Sequence, residues 1–240
     1  NGSLNLFLLA QNTLVVLGKE GLLVHNRLFN SPPSQNIQLI QWARFHSQQP
    51  LELLLSWRYG TNTDLITYDQ SLRPVRSFHA PSPTHSSGLS PPDQSQAIHF
   101  SHCQWLVASN NQAGRLVATL AAPPETGLRG FCGFDFTSGR LLWHYPVDPT
   151  PGPLALLDLD QDGQPELIAG SHSEGTPTRA EPGTDDAHSY LFALNWDGQL
   201  RWQRALGGPR SRTIPLVVPS PSHAPPRLYA SGRGATGAVL

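Results

Sequence analysis

Short apolar runs separated by turn residues recur along the whole chain. Near the start, Leu6–Ala10, Thr13–Leu17 and Leu22–His25 are separated by Gln11-Asn12 and by Gly18-Lys19-Glu20-Gly21. Runs of this length joined by two- to four-residue turns predict antiparallel hairpins in a meander. Later runs are Leu51–Trp57, Asp64–Tyr68, Trp105–Ser109, Leu116–Leu120, Leu141–Tyr145, Leu154–Leu157, Glu166–Ala169, Tyr190–Leu194, Leu200–Gln203, Ile214–Val218 and Arg227–Ala230. Few windows hold a helical period for three turns before meeting Gly or Pro. The best of them, Asn36–Arg44, is short and follows Pro32-Pro33, so it too is read as a strand.

The runs repeat as units. Leu154–Leu157, an acidic loop, Glu166–Ala169, a longer loop, Tyr190–Leu194 and Leu200–Trp202 make one unit. Ile37–Trp42, Leu51–Ser56, Leu65–Tyr68 and the residues after Leu72 follow the same order. A third copy runs from Ala97 to Trp143, and Ile214–Val218 with Arg227–Ser231 begins a fourth; the residues before Arg27 end a preceding one. Turns at Gly21, Ser71, Gly139 and Gly198 mark equivalent points about 50 to 70 residues apart. Four strands per repeat of this length is the pattern of a β-propeller blade. The expected fold is therefore all-β: a single propeller over residues 1–240 with about four blades of four antiparallel strands. The run starts and stops mid-unit, which suits a small closed ring or, the favoured reading, a slice of a larger one. The Pro/Ser-rich stretches 79–96 and 171–189 are read as surface insertions, because the repeat resumes in phase after each; a domain boundary within 80–96 is the alternative.

Composition narrows the field. Charged residues are 14%, well under the usual quarter, while Pro 23 and Gly 21 disfavour long helices. A formal net charge of −1 gives no electrostatic case for nucleic acid or an anionic membrane. The apolar stretch Leu4–Val24 is broken by Gln11, Asn12, Lys19 and Glu20, so no membrane span is expected. Cys103 and Cys132 form neither a disulfide framework nor a zinc pattern, and two buried free thiols are favoured over one bridge.

The strongest chemical motif is Asp158-Leu159-Asp160-Gln161-Asp162-Gly163-Gln164-Pro165-Glu166. Calcium takes six to eight hard oxygens, and alternate carboxylates in a tight loop converge on one point. Asp158, Asp160 and Asp162 hold positions 1, 3 and 5, Gly163 permits the turn at 6, and Gln164 offers a carbonyl at 7. An EF-hand would need Glu at position 12, which is Ala169, and a following helix. The last carboxylate stands instead at position 9, Glu166. This arrangement resembles the calcium-binding hairpin loops of FG-GAP repeats, the blade units of integrin α-chain propellers. The resemblance implies side-chain ligation by Asp158, Asp160, Asp162 and Glu166. The matching loops at 43–49 and 219–225 carry no carboxylate, so one site is expected.

A second motif, Asp135-Phe136-Thr137-Ser138-Gly139-Arg140-Leu141-Leu142-Trp143, is echoed by Asn195-Trp196-Asp197-Gly198-Gln199-Leu200-Arg201-Trp202. It is similar to the tryptophan-docking repeat of PQQ-type propellers, which implies that Trp143 and Trp202 pack structurally between blades. Weaker groupings carry little. His99, His102 and Cys103 cannot all converge from one regular strand, and Asp185, Asp186, His188 and Ser189 lack a nucleophile elbow. The expected function is a non-enzymatic, extracytoplasmic scaffold that binds one structural calcium ion and a protein or glycan partner. The alternatives are a propeller-type enzyme (quinoprotein dehydrogenase or polysaccharide lyase) and the extracellular sensor or assembly domain of a membrane protein.

Overall fold

The computed structural model describes the backbone of residues 6–10, 13–17, 23–28, 35–43, 52–59, 62–69, 71–81, 98–106, 114–123, 126–175, 179–180, 183–218 and 227–233, with side chains over most of these from residue 52 onward. Every regular element among them is a strand. β1 (Leu6–Ala10), β2 (Thr13–Leu17) and β3 (Leu23–Leu28) form a three-stranded antiparallel sheet. β4 (Gln35–Ala43), β5 (Glu52–Tyr59), β6 (Asn62–Tyr68) and β7 (Pro74–His79) form the first four-stranded meander. β8 (His99–Leu106), β9 (Arg115–Ala121), β10 (Gly130–Asp135) and β11 (Leu141–Pro146) form the second.

In the third meander, β12 (Thr150–Leu157) and β13 (Glu166–His172) are followed by a short hairpin, β14 (Arg179–Ala180) and β15 (Thr184–Asp185). The sheet is then completed by β16 (Ser189–Leu194) and β17 (Leu200–Gly207). A last hairpin, β18 (Arg212–Val218) and β19 (Arg227–Arg233), meets this sheet through the single pair His172 and Arg212. The fold is a β-propeller of four-stranded antiparallel blades, with three complete blades and two partial ones among the described residues. The first strands β4, β8, β12 and β18 are neighbours in that order. Most of the 79–96 stretch, the 107–109 end of one predicted run, and all but Ala43 of the 43–49 and 219–225 loops lie outside the described residues.

The middle strands explain why the apolar runs were unbroken. Side chains alternate across a strand. In β9, Leu116, Ala118 and Leu120 join a cluster with Leu54, Leu65 and Phe78 of the first blade. Val117 between them faces the third blade, in a cluster with Phe131, Leu154, Leu167 and Phe192. β16 repeats the scheme: Tyr190, Phe192 and Leu194 face the second blade, while Leu191 and Ala193 face Ala230 and Val217 of the last hairpin. Both faces of a middle strand are therefore core. Outer strands such as β17 alternate towards solvent. Ring pairs tie the blades, with Phe131–Phe192 centroids 5.4 Å apart and Phe78–Phe134 5.7 Å apart; such pairs add about 0.5–1.5 kcal/mol beyond area burial.

Four strands were absent from the predicted runs: β7, β10 and the two-residue β14 and β15. β7 buries only Phe78. β10 carries Gly130 and Gly133, and a β-carbon on Gly133 would overlap the Trp143 indole. Trp143 bridges blades as expected: it packs on Gly198 in the β16–β17 turn, and its Nε1 donates to the Trp196 carbonyl at 3.3 Å. Trp202 packs against Leu157, Ile168, Leu191, Ala193 and Ala230. Register shows that Arg76 occupies the same place on β7, opposite Thr67, as Trp143 does opposite Gly133 and Trp202 opposite Ala193. Its guanidinium lies 4.3 Å from the Phe136 ring centroid of the next blade. Cys103 and Cys132 are buried and unbridged.

Gly198 and Gly163 both have left-handed φ, +84° and +86°, but only Gly198 abuts an indole; around Gly163 a β-carbon meets nothing within 4 Å. Without added metal, Gly163→Ala is expected to cost about 1–2 kcal/mol, the left-handed penalty alone. Gly198→Ala is expected to cost about 1–3 kcal/mol more, from overpacking. Denaturant unfolding of the two variants measures the difference, and equal losses would remove the docking contact from the account.

Candidate functional site

The acidic motif spans the turn between β12 and β13. Two positive-φ residues, Gln161 at 62° and Gly163 at 86°, fold it back on itself. Asp158 accepts from the Asp162 amide at 3.1 Å through Oδ1 and from the Gly163 amide at 2.9 Å through Oδ2. Glu166, the first residue of β13, is buried and its Oε2 accepts from the Leu159 amide at 2.8 Å. The result is that carboxylate oxygens of Asp158, Asp160 and Glu166 all lie within 4.8 Å of one another. Asp162 stands apart from this group: its Oδ1 accepts from the Gln164 amide at 2.7 Å. Gln164 is exposed.

A residue outside the sequence expectation completes the cluster. The guanidinium of Arg201 on β17 is 2.7 Å from Asp160 Oδ2 through Nη2 and 2.7 Å from Glu166 Oε1 through Nη1. It holds the Asp160 carboxyl below the usual carboxylate range, and its own pKa is raised in return, chiefly by the hydrogen bond to Asp160. Arg201 reaches the loop because it is the extra residue of a β-bulge: Leu194 opposes Leu200 while Ala193 opposes Trp202. Bulges re-aim side chains in this way. The equivalent extra residues on the other complete blades are Val75 and Leu142. The cation thus stands on the one complete blade whose first turn is described as acidic. The loop carries four carboxylates, and Arg201 pairs with two of them, Asp160 and Glu166.

Other candidates separate. His188 Nδ1 is 2.7 Å from Asp185 Oδ1, but the buried Ser189 hydroxyl lies 2.9 Å from Thr213 Oγ1 and accepts from Ser211 at 2.7 Å. These residues form no nucleophile–base pair. On β8 a register shift between Phe100 and His102 turns His99, Ser101 and His102 towards one cavity while Cys103 enters the core.

No protein-family model matches the chain, and no curated protein sequence does. Among solved structures it is similar to the V. cholerae biofilm matrix protein Bap1, at TM-score 0.55 and 16% identity over 90% of this chain and 31% of that one. It is also similar to a europium-containing methanol dehydrogenase, at TM-score 0.55 and 10% identity over 95% of this chain and 55% of that one. The chain spans about a third and about half of these two proteins. Likeness at this identity establishes the fold, a propeller, and nothing finer.

The depressed Asp160 pKa sets a pH dependence. Because the folded value lies below the unfolded one of about 3.9, the Arg201–Asp160 contact contributes stability above that pH and loses it as pH falls through the folded value. The melting-temperature difference between the parent and Arg201→Gln is expected to be largest near neutrality and to shrink below about pH 4. A difference that stays constant across a pH 2–7 series would show that the ion pair contributes nothing.

Proposed function

We propose that the chain is a non-enzymatic propeller scaffold, working outside the cytoplasm, that takes one calcium ion at the β12–β13 turn and presents its loops to a protein or glycan. The observation that carries this reading is the convergence of Asp158, Asp160 and Glu166. Three hard anionic oxygens on a tight loop suit a divalent cation of the calcium type. The fit is supported by charge: one guanidinium leaves the cluster negative, so the loop keeps attraction for a cation. Asp158, Asp160 and Glu166 would hold it, and Asp162 and the Gln164 carbonyl would join after leaving their present arrangement. A bound ion would supply cross-linking charge between the two arms of the turn. Calcium sites of modest affinity fill at the millimolar levels found outside cells, and one structural neighbour is a biofilm matrix protein.

Arg201 favours a second reading, in which the guanidinium is itself the cation of the cluster and no metal binds. Calcium titration followed by melting temperature separates the two. Saturation at a hundredfold excess over Kd stabilises by about 2.7 kcal/mol. The parent is expected to melt higher with calcium, Asp160→Ala to respond less, and Arg201→Ala to respond at lower calcium because a competitor is gone. No calcium response in the parent or in Arg201→Ala would overturn the metal assignment and leave the ion-pair reading.

A further inference from the structure

A cavity of about 560 Å³ opens where the first strands β8, β12 and β18 begin. That is within the range of about 300–1,000 Å³ usual for small-molecule sites. The strands run antiparallel, so this end of the blades is opposite the acidic turn, and none of the turn's residues lines the cavity. Among the described residues its walls carry Arg129, Arg212, His99, His102 and His172 against one carboxylate, Glu174.

Arg129 is a built element of the site. It is 5% exposed, and its Nε donates to the Ala122 carbonyl at 2.7 Å and its Nη1 to the Asp148 carbonyl at 2.6 Å. These two bonds fix the plane of the guanidinium. Asp186, fully buried, lies 3.6 Å from Nη1 and balances the charge from behind. Nη2 makes no hydrogen bond among the described residues, and Glu174 Oε1 lies 3.8 Å from it. Glu174 Oε1 also accepts from the Thr150 hydroxyl at 2.8 Å. Arg212, exposed at the start of β18, has no carboxylate partner among the described residues. It lies near enough to His102 to disfavour protonation of that imidazole, which burial already disfavours more strongly.

Among the described residues the lining holds no Trp, Tyr or Phe. A neutral sugar held by ring stacking finds no platform here, whereas guanidinium groups recognise carboxylates through paired, charge-assisted hydrogen bonds. We infer that this cavity binds a small organic carboxylate, with Arg212 and Nη2 of Arg129 as the donors. An acidic sugar and a free organic acid share that chemistry. The inference gives the scaffold a ligand class and rests on the scaffold reading in that respect, while being independent of metal at the acidic turn.

Calorimetric titration of the full chain, without added metal, with sodium galacturonate, sodium succinate and galactose tests it. At least one carboxylate is expected to bind and galactose to fail. Binding of galacturonate alone would identify a sugar acid, and equal binding of succinate would identify the bare carboxylate as the determinant. Arg212→Gln, at an exposed position, is expected to weaken binding about tenfold or more with an unchanged melting temperature. The inference is overturned if neither carboxylate binds below about 10 mM, if galactose binds as well, or if Arg212→Gln and Arg212→Ala both bind like the parent. Proton NMR of the equilibrated mixture reads the scaffold separately: a bound ligand recovered unchanged agrees with it, and a ligand converted to product refutes it while leaving the cavity assignment intact.

Discussion

Among the described residues, no complete blade has a core of its own. A four-stranded sheet one layer thick must bury both faces against neighbours, and the described side chains do so by strict alternation: Val117 to one side, Leu116 and Ala118 to the other; Phe192 to one side, Ala193 to the other. Each fully buried Phe or Leu contributes about 1.5–3 kcal/mol only while the next blade covers it. Stability is thus a sum over interfaces between blades rather than over blades. The last hairpin illustrates the condition. Its Val217, Leu228 and Ala230 pack on the third blade, while Ile214, Leu216, Val218 and Tyr229 remain exposed on the described structure.

Interfaces of this kind need a device that sets the angle between blades, and the outer strands supply it. One position, filled by Arg76, Trp143 or Trp202, follows the hairpin turn and a bulge; at Arg76 and Trp143 it docks on the turn of the following blade. The residue type differs but the contact is kept: Arg76 offers a cation to the Phe136 ring, Trp143 a ring and a donor to the Trp196–Gly198 turn. Glu52 fixes Arg76 from its own blade, at 2.6 Å and 2.7 Å. The adjacent bulge residue is free to vary, and on the third blade it is Arg201. The acidic cluster therefore borrows a feature whose first purpose is blade docking.

Strand positions are most legible in the sequence where apolar stretches are continuous and bounded by turns. β1 and β2 coincide with their apolar runs, and β18 extends its run by two residues at the start. β7 escaped notice because an outer strand buries little, and β10 because its glycines read as turn residues when they in fact clear space for Trp143 and the Tyr145 carbonyl. At the acidic turn, Asp158, Asp160 and Glu166 were legible from alternation. The place of Asp162 was not, because its carboxylate competes for a local amide, a choice that spacing alone leaves open. Arg201 was invisible for a deeper reason. Its approach depends on strand register across the β16–β17 pair, which brings position 201 next to position 160.

The two ends of the blades are chemically unlike, and the topology explains how one chain keeps them apart. The β12–β13 and β16–β17 turns lie at the same end, so an anionic loop and the cation that partly neutralises it meet across the end of β16 without crossing the core. At the other end the starts of β8, β12 and β18 come together from three successive sheets, and the cavity between them collects residues far apart in sequence: His99, Arg129, Thr150, His172 and Arg212. Such a cavity exists only while the angle between blades is held, because no single blade supplies more than part of its wall. The docking contacts of Trp143 and the charges at the acidic turn brace the same sheets from the far end. The cavity is thus assembled by the interfaces between blades rather than by any one of them.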